Sequence, residues 1–113
     1  MIAKVFLIGL VAAVVMRLSS ASAGYFDGNK LNWWCSNPDG SPPQAECYGY
    51  VAGVADANSG FSGGAYCMSA EVKLTQLVDS VKLYLRDHPE ERHLLASDLV
   101  TSALSENFQC HSP

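Results

Sequence analysis

Cysteine, histidine and paired carboxylate are the side chains in this sequence that could carry chemistry. The cysteines are Cys35, Cys47, Cys67 and Cys110, the histidines are His88, His93 and His111, and Glu90 and Glu91 stand side by side. A cysteine with a histidine base would make a nucleophile for acyl transfer. An even cysteine count behind an export leader predicts instead that all four are oxidised in pairs, which removes the thiolate. Helical zinc sites place two histidines four residues apart on one face. His88 and His93 are five apart with Pro89 between them, so neither a metal nor another cofactor is expected. Glu90 and Glu91, as sequence neighbours, point in different directions and do not make the facing pair of a glycoside hydrolase. The residue types therefore predict no catalytic set, and His111, two residues past the last cysteine, is expected to be solvated.

The leader decides how the cysteines are read. Lys4 supplies a positive start, and Val5 to Met16 is an uncharged apolar run of 12 residues. That is short of the roughly 20 apolar residues a bilayer span needs. Ala21-Ser22-Ala23 then offers the small-x-small pattern of a signal peptidase site. Residues 1–23 are thus predicted to be a signal peptide cleaved before Gly24, leaving residues 24–113 as one small domain outside the cytosol, with no membrane attachment after cleavage. Arg17, a charge between the apolar run and the cleavage site, is an irregularity in this pattern.

Beyond residue 23 the basic residues are Lys30, Lys73, Lys82, Arg86 and Arg92, against 11 acidic ones. Phosphate backbones need a basic footprint that this chain lacks, so nucleic acid is excluded as a partner. A basic protein surface fits better.

The pattern of apolar residues is helical, with almost no strand signal. A short helix is predicted over Asn29 to Trp34, with Asp27 or Asn29 as its cap. The stretch Ser36 to Pro43 carries turn residues, and Pro42 or Pro43 is placed to open a second helix running to about Asn58. Its predicted buried stripe is Cys47, Tyr50, Val51, Val54, Ala57 and Phe61. Gly49 and Gly53, four apart on that helix, predict a shallow groove for close helix packing, either within the chain or against a second copy. Ser59 to Gly64 reads as an irregular connector, not a phosphate loop, because no Lys-Ser or Lys-Thr follows it. A third helix starts between Ala70 and Leu74 and ends near Asp87, with Leu74, Leu77, Val78, Val81, Leu85 and His88 facing inward. Pro89 ends it. The fourth runs from Leu94 or Ser97 to Phe108, burying Leu95, Leu99, Val100, Ala103, Leu104 and Phe108. Trp33 and Trp34 cannot both be deeply buried in so small a domain. Packing against Cys35 or contact with a partner are their two predicted roles.

The predicted fold is all-α, a small bundle of about four helices stapled by two disulfides. Antiparallel third and fourth helices bring the start of one to the end of the other, which favours Cys67–Cys110 and leaves Cys35–Cys47 to close the Pro-rich loop. Four cysteines allow two other pairings.

The strings Cys47 to Ala57, Cys67, Leu74 to Val78, Tyr84 to His93, Ala103-Leu104 and Phe108 to Cys110, in this order around the four cysteines, resemble the Rap/Tai family of type VI secretion immunity proteins. Lys73 departs from that family's frequent threonine and Gln109 from its frequent proline. The resemblance implies a periplasmic all-helical homodimer that blocks a peptidoglycan amidase effector without doing chemistry itself. It implies further that the turn between the last two helices, here Asp87, His88, Glu90, Glu91, Arg92 and His93, enters the effector's cleft. The alternative reading is a periplasmic chaperone or envelope-stress binding module with no toxin partner.

Overall fold

The computed structural model describes residues 24–58, 64 and 66–110; the predicted leader, Phe61 and His111 lie outside the described residues. Four α-helices follow one another: α1 Gly28–Cys35, α2 Pro42–Asn58, α3 Leu74–Asp87 and α4 Ala96–Asn107, with one 3-10 turn, Pro89–Glu91, between α3 and α4. Among the described residues there is no strand, only an isolated antiparallel bridge between Asp27 and Leu95. No helix among them is long and apolar enough to cross a membrane.

Local chemistry sets the helix starts. The Asp27 carboxylate accepts from the Lys30 N–H at 2.9 Å and caps α1. Pro42 is the first residue of α2, and Ser41 Oγ accepts from the Gln44 N–H. Gly40 turns with a φ of 84°, a conformation glycine adopts without steric cost. Lys73 precedes α3 and has no lone pair to offer as a cap, so the start of α3 relies on Gln76, whose Oε1 accepts from the Lys73 N–H at 2.7 Å.

The core is a single apolar cluster. Leu31 and Trp34 enter it from α1, Cys47, Val51 and Ala55 from α2, Leu77, Val78, Val81, Tyr84 and Leu85 from α3, and Ala96, Leu99, Val100, Ala103 and Leu104 from α4. On α2 the stripe is narrower than its sequence suggests. Ala57 is exposed and Ala55 is buried in its stead, while Tyr50 and Val54 are half-buried. Cys47, Val51 and Ala55 form a four-residue ladder, and Ala57 lies about 120° round the helix from Val51. On α3 Tyr84 joins the stripe and Leu74 sits at its margin.

Both favoured disulfides are formed, Cys35–Cys47 and Cys67–Cys110, with Cα–Cα distances of 5.0 and 4.9 Å. The second ties the segment before α3 to the residue chain just past α4, where the Cys67 N–H also donates to the Phe108 carbonyl at 2.8 Å. The two tryptophans divide the predicted roles. Trp34 is 7% exposed and meets Phe26 edge-on at 4.8 Å, whereas Trp33 is 53% exposed with Lys30 Nζ 4.9 Å from its ring centroid.

The expected packing of a helix onto Gly49 and Gly53 is not made within the described residues. Both are exposed, and a Cβ built at either meets no atom within 4 Å. The core ladder of α2 runs along Cys47, Val51 and Ala55, which turns the glycines outward.

Candidate functional site

The α3–α4 hairpin has two ends with different chemistry. At its base the Cys67–Cys110 bond closes the chain. At its tip, about 20 Å away along the 14 residues of α3, lies the turn Asp87 to His93. The turn carries six of the chain's charged or titratable side chains within seven residues, and its backbone is set by Pro89, which cannot continue α3. The chain reverses through Pro89–Glu91, with the Glu91 N–H donating to the His88 carbonyl at 3.1 Å and the Leu94 N–H to the Glu91 carbonyl at 2.8 Å.

Six predicted site residues come together here, in two groups. His88, Glu91 and Arg92 are half-buried and look inward. Tyr84 Oη donates to Glu91 Oε2 at 2.9 Å, and its ring lies 4.0 Å from that of His88, tilted by 36°. His88 Nδ1 is 3.3 Å from Glu91 Oε2 and 3.5 Å from Glu90 Oε1. Arg92 Nε donates to the Leu85 carbonyl at 2.8 Å, fastening the far side of the turn to the last turn of α3. Asp87, Glu90 and His93 point outward and are exposed. Asp87 meets its neighbour Arg86 at 3.2 Å, a solvent-screened pair of little energetic weight.

The electrostatics of this end are felt at Tyr84. Its phenol is held above the ordinary tyrosine value of 10.0, first by burial and then by its hydrogen bond to the Glu91 carboxylate. Burial likewise raises Tyr50 and Tyr66 elsewhere in the core.

His88, Glu90 and Glu91 each bring one possible ligand atom within 4.8 Å of the others. Within it the Glu91 carboxylate accepts from Tyr84 Oη, which ties the group to α3. No thiol is available as a nucleophile, because none of the four cysteines is free. The arrangement is a short, charged turn whose backbone and half-buried side chains are hydrogen-bonded to one another and to α3.

Tyr84 is the residue whose part the apolar pattern under-read. Its signal was present, since Leu77, Val81, Tyr84 and His88 follow a four-three-four spacing along one face of α3. Gly28, which is buried at the start of α1, left no such trace.

The family model for Rap1a immunity proteins matches residues 27–110, which takes in all four helices, both disulfides and the turn. No curated protein matches the chain.

Proposed function

This chain belongs to the Rap1a immunity proteins, and on that footing we propose that it neutralises a peptidoglycan amidase delivered by type VI secretion, in the periplasm, by lodging the turn Asp87 to His93 in the amidase's cleft. An immunity protein of this family works by binding an effector protein. The observation that carries the finer reading is the construction of the turn: Tyr84, Leu85 and His88 hold Glu91 and Arg92 from within, while Asp87, Glu90 and His93 are left exposed.

A turn held in one conformation loses little entropy when it binds, and the saving appears as affinity. Its exposed acidic side chains suit a basic rim on the partner, in keeping with the acidic balance of the domain. Two disulfides support an oxidising compartment outside the cytosol. The exposed Gly49 and Gly53 on α2, with open space above both, support a homodimer in which two α2 helices approach closely.

The test is a pull-down from periplasmic extract with the oxidised domain, followed by assay of any captured cell-wall hydrolase. Capture of an amidase that loses activity is the expected result, and the charge-reversed variant Glu90→Lys should inhibit at least about tenfold less well, the scale of losing a hot-spot side chain. Unchanged inhibition by that variant removes the turn from the interface. Capture of many unrelated proteins and no amidase favours the chaperone or envelope-stress module.

A further inference from the structure

The turn is also held from outside its own hairpin, by the chain's first described residues. Helices α1 and α4 begin side by side and satisfy each other's free donors. The Gly28 N–H donates to the Leu94 carbonyl at 2.9 Å, the Asn29 N–H to the Arg92 carbonyl at 2.8 Å, and the Ala96 N–H to the Phe26 carbonyl at 2.9 Å. The first N–H groups of a helix have no partner within it, so each of these bonds fills a need that would otherwise fall to water. Leu95, which precedes α4, has no side chain able to do this.

Gly28 makes the approach possible. It is buried, and a Cβ built on it would lie 2.8 Å from the Arg92 carbonyl oxygen and 2.9 Å from Arg92 Cα. These are backbone atoms that cannot swing aside as a side chain can. Leu99 Cδ1 blocks the same space. Arg92 is thereby gripped on two sides, its carbonyl by α1 and its guanidinium by the Leu85 carbonyl of α3.

We propose that Phe26 to Asn29 is a brace that sets the conformation of the turn, with Gly28 as its positioning residue, so that recognition by the turn depends on the N-terminal segment being seated. The consequence for binding rests on the turn being the effector-binding element; the brace itself does not. Without the brace, the hydrogen bonds described above for Glu91 and Arg92 run to α3 and within the turn itself, and the turn's C-terminal half is free to part from α1.

Amide hydrogen exchange on the oxidised domain tests this, with Gly28→Ala and Asn29→Pro as variants and Asn29→Ala as control. Asn29→Pro deletes one N–H near the start of α1, where proline is tolerated, and the bond lost is the one to Arg92. In both variants the Glu91 and Leu94 amides should exchange roughly tenfold faster, the scale of one lost backbone hydrogen bond, while the core amides of Val81 and Leu85 keep their protection. Asn29→Ala should match the parent. If Gly28→Ala does not fold, Asn29→Pro decides. Unchanged exchange at Glu91 and Leu94, or a uniform rise across the whole chain, overturns the brace. With an amidase captured as above, a loosened turn should lower inhibition about tenfold by the loss of preorganisation. A loosened turn with full inhibition leaves the brace standing and overturns the turn as the binding element.

Discussion

The Tyr84 hydroxyl donates a 2.9 Å hydrogen bond to Glu91 Oε2, joining a core residue of α3 to the turn that follows it. Tyr84 is 8% exposed and packs in the hairpin core, so the carboxylate it holds is positioned by the interior and not by solvent. The same carboxylate oxygen lies 3.3 Å from His88 Nδ1. One buried phenol thus organises two of the turn's titratable side chains.

That phenol carries a pH signature. Burial first, and the Glu91 carboxylate second, raise its pKa above 10.0 in the fold, so the folded state favours the neutral form. Its contribution is therefore fully present below the ordinary tyrosine value and is lost as pH rises through the raised one. Tyr84→Phe should destabilise the domain at neutral pH by about 1 kcal/mol, the worth of one hydrogen bond. Urea denaturation at rising pH should show the gap between parent and variant shrinking above about pH 10. Tyr50 and Tyr66 are raised as well, so some alkaline loss persists in the variant. A gap that widens instead contradicts the assignment.

The two disulfides should differ in weight. Cys67 and Cys110 close a loop with a sequence separation of 43, against 12 for Cys35 and Cys47. Loop entropy predicts a loss of about 4 kcal/mol for the double serine variant of the first and about 3 kcal/mol for the second. If the turn is the effector-binding element proposed above, removal of the first bond, which ties the base of its hairpin, should cost inhibition along with fold. Thermal melting of the two double variants, each assayed beside the parent, checks both statements; equal losses would argue that the unfolded chain is not controlled by loop length.

Neighbouring tryptophans should give opposite results. Trp34→Ala removes a ring packed against Phe26 and Tyr50 at centroid distances of 4.8 and 5.9 Å and should cost about 3 to 5 kcal/mol. Trp33→Ala removes a ring that is 53% exposed and should change stability by less than about 1 kcal/mol. Chemical denaturation of both variants decides, and a large loss at Trp33 would mean that its contact with Lys30 matters more than an exposed cation–π pair usually does.

On α2, replacing Gly53 by leucine separates monomer stability from association. The helix gains up to about 1 kcal/mol of propensity and the new side chain meets no atom of the described residues near its Cβ, so the monomer should melt no lower than the parent. If two α2 helices approach across Gly49 and Gly53, the same substitution should convert a dimer to a monomer in sedimentation. A dimer that persists moves the interface elsewhere.

Periodicity along the chain was enough to place the four helices, because apolar residues at three-and-four spacing bury one face whatever their neighbours are. The cap of α1 at Asp27 or Asn29, the opening of α2 at Pro42 or Pro43 and the end of α3 before Pro89 were legible for an equally local reason, each depending on a few adjacent residues, and the fold takes Asp27 and Pro42. The disulfide pairing followed one step later, from the antiparallel hairpin. The turn was singled out as a candidate through a resemblance to a family, since no spacing rule marks Glu90 or His93. Whether small residues on α2 meet another helix of the same chain was beyond local reading, as Gly49 and Gly53 can be packed or bare with the same spacing, and the fold leaves them bare. Gly28 is the extreme case. Its role arises from the close approach of Arg92, more than sixty residues further along the chain, and only the packing of α1 against the turn brings the two backbones together.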